Sequence, residues 1–590
     1  MSQKIKVDFD SKTLRLVITA PFFLSDVVRE FPSRRFEPRT KTWRVPLIKG
    51  NLIHLASTRH KYDYEFSPSA EAAISDYEKI MAAPKKRPFP YHVYDFTKSE
   101  TGFKPMEHQA EMLNTSWGLK ASAWFAKMGT GKTFAAIHLA CARFMAGEID
   151  AVVIICPSTL RSVWRKEFVK YATVPYEFRS HEQRSAGYDE YCREVPRGCL
   201  QVLAVSVEGL GISAALYDSV CQFYAYSKRI MTVCDESSRI KNPDAKRTER
   251  TIRLGPVSDY RLILNGTPIA LGIQDLWSQY EFLDPNIIGM GDYWAFKTRY
   301  TVRGGYENKQ IIGYQNTDEL MKMVAPYTAV IGKEVLNLPP KVMTERYVEI
   351  TPEQKKLLKA IAKGSSPDPD VPYIKAENVL EKVLRARQVV GGWLPKAKIE
   401  HIMVDDQVVE SITTTLVPLD KNPKLDGLVE LIDDNFIGSK FIIWSTFVHE
   451  IEAIHKVISK KYGAGSVECY YGATDMDQRS ITEDRYCRDS SLRFFIGHPT
   501  AAGLGLTLVS GENDIMVYYS GTNAYIDRAQ SEDRAHRIGQ KNTVTIVDLI
   551  AEKTIDEVIA ESIRTKMDIE TFVTTKIREG KGIIDLILQD

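Results

Sequence analysis

The segment from Ala126 to Thr133, AKMGTGKT, has the residue types of a phosphate-binding loop, with alanine in place of the usual first glycine. Glycines in such a loop let backbone amides face phosphate oxygens, the lysine reaches the terminal phosphates, and the hydroxyl binds Mg²⁺. The pattern predicts a site for ATP and Mg²⁺, and the alternative is a plain glycine turn between strand and helix. The predicted nucleotide ligands are Met128, Gly129, Thr130, Gly131, Lys132 and Thr133, with Thr133 also on the metal.

Two acids, Asp235 and Glu236, follow a predicted apolar strand at Met231 to Cys234. The carboxyl ends of parallel strands form the ligand edge of a sheet. We therefore expect Asp235 to coordinate Mg²⁺, directly or through water, and Glu236 to orient or deprotonate the attacking water. A solvated acidic loop would explain an isolated pair, but it is the weaker interpretation beside a phosphate loop.

Two arginines near the carboxyl end, Arg534 and Arg537, are three residues apart and would share one face of a helix. Reaching across a cleft between two lobes, they are predicted to act with Lys132 and Glu236 in catalysis as arginine fingers. Such fingers contribute roughly 10³–10⁵ in rate in other nucleotide hydrolases. Taken alone, the two arginines would be better explained as a surface charge cluster.

Short apolar strands that alternate with amphipathic helices must position these groups. The strands include Ala121 to Ala126, Ala151 to Cys156, Phe441 to Trp444, Phe494 to Ile496, Ile515 to Tyr519 and Val544 to Leu549. This alternation predicts an α/β fold with one parallel sheet in each of two lobes. The predicted domains are a small accessory module at 1–90, a first lobe at 91–285, a helical insertion and linker at 286–420, and a second lobe at 421–590.

Composition excludes several classes of protein. The 590 residues carry 78 Lys and Arg against 76 Asp and Glu, so nucleic-acid binding driven by bulk positive charge is excluded, whereas a local basic groove is not. Eight cysteines without a C-x-x-C pair indicate a reducing compartment and no structural zinc. No apolar run approaches the roughly 18 residues of a membrane span, so a cytosolic type of protein is expected.

Taken together, the segments resemble the SWI/SNF (sucrose-nonfermenting) branch of the superfamily two helicase-like ATPases. Further matches are Gln109 in PMEHQ, Pro157-Ser158-Thr159-Leu160, Arg239-Ile240-Lys241-Asn242, Gly266-Thr267-Pro268, Trp444-Ser445-Thr446-Phe447, Thr500 to Leu506 and Arg534 to Gln540. The resemblance implies two RecA-like lobes that open and close with ATP and move along double-stranded DNA. It also implies that Gln109 recognises adenine, that Ser158 and Thr159 contact DNA phosphates, that Thr267 links lobe closure to hydrolysis, and that Gly503, Gly505 and Thr507 lie on the DNA and nucleotide side of the second lobe.

Three positions depart from the family pattern. Ser238 stands where the family has a coupling histidine, and Asn265 stands where threonine is usual. The paired arginines expected ahead of Leu338 to Lys341 are missing. We therefore expect a divergent member of the family. The departures bear on how the ATP site and the DNA site communicate.

The stretch from Phe36 to Leu47 resembles the HARP module of annealing helicases, which implies recognition of forked or single-strand-containing DNA. Arg34, Arg35 and Lys41 are predicted to hold phosphates, while Phe36 and Trp43 stack on bases. The alternative is a small sheet that packs Trp43 in its core.

The leading hypothesis is a DNA-dependent ATPase that translocates on duplex or branched DNA and remodels forks. The alternatives are a strand-separating helicase, whose wedge would lie within 286–420, and a nucleotide-gated DNA clamp with weak turnover. The expected partner is DNA, as duplex, fork or with single-stranded regions, and the sequence assigns no protein partner. The expected location is the cytoplasm of a bacterium or of a virus-infected cell, and a nuclear location is also compatible.

Overall fold

The computed structural model describes residues 4–13, 15–80, 87–180, 198–269, 272–304, 310–364, 379–404, 407–472, 474, 476–502, 506–537, 539–579 and 581–588. Gly503 and Gly505 lie outside these ranges, and so do residues 84–86 of the segment 84–88, whose sequence PKKRP predicts a linker. The chain forms two compact units, Met1–Val335 and Leu336–Asp590. Among the described residues, no helix has the length and apolar character needed to cross a membrane.

The first unit begins with a small mixed module. Its elements are β1 Ile5–Asp10, β2 Arg15–Thr19, α1 Ser25–Arg29, β3 Arg35–Glu37, β4 Thr42–Pro46, α2 Lys49–Thr58, β5 Tyr64–Phe66 and α3 Pro68–Ile80. The strand order is β3-β4-β2-β1-β5, with only the β1–β5 pair parallel. Ile5, Val7, Leu16 and Ile18 are buried, as their period-two spacing predicts, because alternate residues of a strand face the same side.

This module packs on the first lobe through backbone and side-chain hydrogen bonds. The Gly50 amide donates to the carbonyl oxygen of Gly289 at 2.7 Å. The Ser33 hydroxyl donates to Oδ2 of Asp292, and the Tyr77 hydroxyl donates to Oδ1 of Asn286 at 3.4 Å. A Cβ on Gly50 would lie 2.9 Å from the carbonyl oxygen of Gly289, so only glycine allows this approach.

The first lobe is built on a parallel sheet in the order β14-β6-β11-β10-β7-β9-β8. Its strands are β6 Ala121–Ala126, β7 Ala151–Cys156, β8 Tyr176–Ser180, β9 Leu200–Ser206, β10 Ile230–Asp235, β11 Tyr260–Asn265 and, after the hairpin β12 Thr301–Gly304 and β13 Gln310–Tyr314, β14 Thr328–Ile331. The helices are α4 Glu107–Trp117, α5 Lys132–Met145, α6 Leu160–Tyr171, α7 Val207–Ile212, α8 Ala214–Tyr226, α9 Lys246–Leu254, α10 Leu276–Leu283, α11 Pro285–Ile288, α12 Tyr293–Tyr300 and α13 Thr317–Val324. Strands β7, β9 and β10 are buried along their whole length, which explains their continuous apolar sequences.

The second unit contains another parallel sheet, in the order β15-β22-β21-β18-β20-β19. Its strands are β15 Lys341–Val348, β18 Ser439–Trp444, β19 Val467–Tyr470, β20 Phe494–Gly497, β21 Asn513–Tyr518 and β22 Val544–Ala551, and a separate hairpin joins β16 Trp393–Val404 to β17 Gln407–Pro418. The helices are α14 Pro352–Lys363, α15 Val379–Val390, α16 Pro423–Asn435, α17 Val448–Tyr462, α18 Met476–Arg488, α19 Pro499–Ala502, α20 Tyr525–Glu532, α21 Ile555–Arg564, α22 Ile569–Arg578 and α23 Ile583–Ile587. The predicted α/β class, with one large parallel sheet in each of two units, is confirmed.

The segment 286–420 differs from the helical insertion and linker that the sequence predicts. Strand β14 joins the first sheet and β15 joins the second, so this segment contributes to both units. Both are edge strands, and every residue of β15 is at least partly exposed. Strand β15 therefore lacks the continuous apolar sequence that marks a buried parallel strand, and β14 has only four residues, which is why the sequence pattern missed both. The boundaries of the four predicted domains stay a proposal.

Candidate functional site

The carboxyl ends of the first sheet bring the sequence-predicted groups of the first lobe to one edge. Ala126 ends β6, Asp235 ends β10 and Asn265 ends β11, and these strands are parallel neighbours. Cys156 ends the next strand, β7, and is followed by Pro157 and Ser158. Parallel strands expose their ligand-binding loops at this edge, so the phosphate loop and the acid pair belong to one site.

The phosphate loop runs from Lys127 to Gly131 and ends at the first turn of α5. Gly129 and Gly131 have φ values of 82° and 80°, the left-handed region that glycine adopts without strain. The Lys132 ammonium donates to the carbonyl oxygen of Ala126 at 2.6 Å, so it lies over the loop rather than pointing to solvent. A helix N-terminus following such glycines presents backbone amides to an anion, which fits the triphosphate of ATP.

Gln109 in α4 lies directly on the phosphate loop. Its Nε2 donates to the carbonyl oxygen of Thr130 at 3.2 Å, and its Oε1 accepts from the Met106 amide at 3.0 Å. A Cβ on Gly131 would lie 2.1 Å from that Nε2, so a larger residue there would displace the Gln109 amide. A cavity of about 550 Å³ adjoins the start of α4 and is lined by residues that include Tyr91, Phe96, Lys104, Pro105 and Ala110. Its size and aromatic lining suit a small planar ligand.

Asp235 and Glu236 are both buried, each with 7% of its surface exposed. The Asp235 carboxylate accepts hydrogen bonds from the Trp164 indole at 2.9 Å and from the Glu236 amide at 2.9 Å. Burial raises the pKa of Asp235, the Glu236 charge raises this pKa further, and the Lys132 charge opposes both. Each carboxylate oxygen keeps a free lone pair, and a nearby cation would stabilise the buried negative charge. Asp235 is therefore suited to bind Mg²⁺.

Sequence reasoning missed a buried polar network behind the acid pair. Gln279 accepts hydrogen bonds from Ser237 and Asn265 through Oε1, at 2.6 Å and 3.4 Å. It donates through Nε2 to the carbonyl oxygens of Pro268 and Asp275, at 2.9 Å and 2.8 Å. The available signal was a glutamine within the apolar run from Leu276 to Leu283, because a polar residue in a buried helix needs partners.

Ser158 and Thr159, the predicted DNA contacts of the first lobe, form the turn before α6. Ser158 is exposed, and its amide donates to Oε2 of Glu208 at 3.3 Å. The hydroxyl oxygen of Thr159 is buried and has no hydrogen-bond partner within the described ranges. A turn with an exposed serine ahead of a twelve-residue helix is suited to phosphate binding, and the DNA role stays a prediction.

Arg534 and Arg537 lie together in the second unit, just beyond α20. Both guanidinium groups donate to the carbonyl oxygen of Leu506, at 3.2 Å and 3.1 Å, and Arg537 also donates to the Thr507 hydroxyl at 2.9 Å. Arg534 is 1% exposed, whereas Arg537 is only partly buried. The arginines and Thr507 thus form one cluster, in which Arg534 anchors the 506–508 backbone and Arg537 is the more accessible side chain.

In the opening module, the predicted DNA-binding residues lie on the β3–β4 hairpin and its flanks. Arg34, Arg35 and Lys41 are exposed. The rings of Phe36 and Trp43 are cross-strand neighbours with centroids 4.8 Å apart, and Phe36 is 44% exposed. Trp43 packs against the buried core of the module, so the alternative of a structural tryptophan holds in part. Stacking of Trp43 on a base stays a prediction.

A parallel sheet with a glycine-rich phosphate loop and a buried acid pair at its carboxyl edge defines a nucleotide hydrolase of the P-loop class. The family model of the SNF2-related domain matches residues 112–400. Residues 112–400 therefore belong to the SNF2-related family of superfamily two helicase-like ATPases, which makes the chain an ATP-hydrolysing enzyme.

Several known proteins are similar to this chain. The TATA-binding protein-associated factor mot1 of Aspergillus fumigatus is 24% identical over 78% of this chain and 26% of its own length. The Caenorhabditis elegans homologue of the SWI/SNF-related matrix-associated actin-dependent regulator of chromatin subfamily A-like protein 1 is 23% identical over 92% of this chain and 72% of its own length. The solved structure of the Sulfolobus solfataricus SWI2/SNF2 ATPase core with double-stranded DNA is 21% identical, covers 85% of this chain and 98% of the solved chain, and has a TM-score of 0.36. The chain thus spans about a quarter of the length of mot1.

Proposed function

We propose that this protein is a DNA-dependent ATPase that translocates on double-stranded or branched DNA and remodels or reanneals forks. The observation that carries the proposal is the juxtaposition of the phosphate loop, the acid pair and the Ser158–Thr159 turn at one edge of the first sheet. DNA bound at that turn would lie beside the nucleotide site, so binding of DNA can alter the hydrolytic geometry. A role in replication, recombination or repair is part of the same proposal.

In the proposed hydrolysis, the chain's own groups bind, orient and stabilise. Amides of the phosphate loop and the Lys132 ammonium bind the phosphates, and Gln109, which contacts the loop at Thr130, recognises adenine. Thr133 and Asp235 hold Mg²⁺, which when bound neutralises charge on the phosphates. Glu236 orients the attacking water, and Arg537 supplies positive charge to the transferring group.

The opening module supports the fork-specific part of the proposal. Arg35 and Arg44 are directly opposite each other on β3 and β4, and like charges in this position are destabilising unless anions balance them. Asp10 balances Arg44 at 2.7 Å, whereas Arg35 is exposed. A DNA phosphate would supply the second anion, and the exposed Phe36 ring offers a surface on which an unpaired base can stack.

The proposal is tested by steady-state ATP hydrolysis without DNA and with single-stranded, blunt duplex or forked DNA, with Lys132→Ala as the inactive control. We expect turnover to rise with DNA, and most strongly with forks. Equal stimulation by plain duplex would keep the translocase and remove the fork preference. Absence of stimulation by every DNA would overturn the motor and favour the nucleotide-gated clamp.

The contribution of the module is tested in the full chain, because its seat on Gly289 makes deletion disruptive. Arg34, Arg35 and Lys41 are changed together to glutamine. The matched control changes three exposed lysines, Lys4, Lys6 and Lys61, near strands β1 and β5. We expect the first triple variant alone to lose the preference for forks, with basal turnover unchanged in both.

A strand-separating helicase is a second candidate, favoured by one observation. The hairpin β16–β17 pairs twelve residues on each strand, a reach of about 40 Å, within the segment where a wedge would be expected. A strand-displacement assay on forked DNA discriminates between this helicase and the reannealing motor. The helicase would be supported if the wild type released a labelled strand and a variant with the hairpin shortened by four residue pairs did not, while its ATP turnover was retained. That result would favour the helicase over the reannealing motor.

A further inference from the structure

Gln279 is a fully buried polar residue whose side-chain amide is completely used. Its oxygen accepts from Ser237 and Asn265, and its nitrogen donates to the backbone at Pro268 and Asp275. A glutamine amide offers two donor hydrogens and an oxygen with two lone pairs. The four contacts therefore satisfy it and tie two separate segments, the acidic loop and the loop after β11, to α10.

The first of these segments is the acidic loop. Glu236 has φ 50° and ψ 52°, a left-handed conformation that a non-glycine residue keeps only when its surroundings hold it. The next residue, Ser237, is 0% exposed, and its hydroxyl donates to Gln279 at 2.6 Å. The contact with Gln279 therefore anchors the backbone immediately after Glu236.

The second segment is the loop after β11. Asn265 accepts from the Thr267 amide at 2.9 Å while its Nδ2 donates to Ser237 at 3.2 Å. Gly266 lies against the phosphate loop, since a Cβ there would be 3.7 Å from both the Ala126 carbonyl oxygen and the Met128 nitrogen. The same network thus reaches from the acidic loop to the phosphate loop.

The geometry points to Gln279, with Ser237 and Asn265, as a positioning network that holds Glu236 in fixed register with the Gly266–Pro268 loop and the phosphate loop during hydrolysis. Ser238, the residue in the position of the family's coupling histidine, is partly exposed and makes no side-chain hydrogen bond with the described residues. Gln279 therefore takes over the connection between the two loops. This inference rests on the role proposed for Glu236.

The decisive variant is Gln279→Leu, which removes all four contacts at similar side-chain volume. We expect basal kcat to fall at least tenfold without DNA, with the KM for ATP and the binding of a fluorescent ADP analogue within about twofold of wild type. Asn265→Ala should reduce kcat less in the Gln279→Leu background than in the wild type, because both changes break one network.

The matched control is Gln201→Leu. Gln201 is also a buried glutamine, but it lies on β9 opposite Ala151, the first residue of β7. It is therefore at the amino-terminal ends of the strands, away from the acid pair at their carboxyl ends. We expect this control to lower the melting temperature without changing kcat at 20 °C. A Gln279→Leu variant that behaves like the control would overturn the inference and leave Gln279 a purely structural residue.

A milder variant covers the case in which Gln279→Leu shows no melting transition. Ser237→Ala removes the hydroxyl that donates to Gln279. A fall in basal kcat of threefold or more with unchanged ADP binding supports the network, and a smaller change in kcat overturns it. Because these measurements contain no DNA, loss of DNA stimulation in the wild type would contradict the proposed DNA function alone.

Discussion

The indole nitrogen of Trp164, in α6, donates a hydrogen bond to Oδ2 of Asp235 at 2.9 Å, and both side chains are buried. The second carboxylate oxygen accepts from the Glu236 amide. Asp235 is therefore held by one contact from a neighbouring helix and one from its own loop. Such contacts orient a metal-binding carboxylate and leave its remaining lone pairs directed to the ligand.

We predict that Trp164→Phe lowers ATP turnover about tenfold, because a hydrogen bond to a charged group contributes roughly 1.5–3 kcal/mol. The Mg²⁺ concentration needed for half-maximal turnover should rise in the same variant. The matched control is Trp124→Phe, which removes the hydrogen bond from another buried indole to Ser116. Equal effects of the two changes on turnover would contradict a specific role for Trp164.

Replacing Arg534 should reduce the stability of the fold, whereas replacing Arg537 should reduce ATP turnover. Arg534→Gln removes a buried guanidinium that binds the Leu506 carbonyl, and we expect the free energy of unfolding to fall by roughly 1–3 kcal/mol. Arg537→Gln should lower kcat at least a hundredfold with little change in melting temperature. Urea unfolding and steady-state kinetics on both variants check this, and a stable, active Arg537→Gln would exclude that residue from the hydrolytic machinery.

The contact of Gly50 with Gly289, which joins the opening module to the first lobe, gives a third prediction. In Gly50→Ala the added methyl group would meet the sulfur of Met290 at 2.8 Å and the Gly289 carbonyl oxygen at 2.9 Å. We expect about 1–3 kcal/mol of destabilisation and a weaker preference for forked DNA, with basal turnover retained. Gly465→Ala is the control, since nothing lies within 4 Å of a Cβ there. A fork preference that survives Gly50→Ala would indicate that this contact does not transmit DNA recognition.

Glu281 in α10 predicts a pH dependence of stability. Burial, with a smaller effect of the Asp284 charge, raises its pKa from 4.5 to about 7. The folded chain therefore holds this proton where the unfolded chain releases it, so the contribution of Glu281 to stability is lost as pH rises from 4.5 to about 7.

Replacement by a neutral amide should remove that loss. We expect Glu281→Gln to be more stable than the wild type by about 2 kcal/mol at pH 8 and similar to it at pH 4.5. Urea unfolding at the two pH values measures the difference. A variant that is less stable than wild type at pH 8 would show that the carboxylate has a charged partner in the folded chain.

Much of the first lobe could be predicted from sequence, because its buried strands carry continuous apolar runs that end at the phosphate loop and the acids. The strands predicted at Ala121 to Ala126 and at Ala151 to Cys156 match β6 and β7 at both ends. Edge strands β14 and β15 were missed, since β15 is exposed along its length and carries no such run, and β14 has only four residues.

By itself, the sequence determined the parts that depend on local chemistry: the glycines of the phosphate loop, the acids after β10 and the alternation of strands with helices. Only the tertiary structure decided which distant residues meet. Gln279 contacts Ser237 across 42 positions, and Gly50 contacts Gly289 across a still longer separation. No periodic pattern encodes such contacts, because they arise from the packing of helices and loops that lie far apart in the chain.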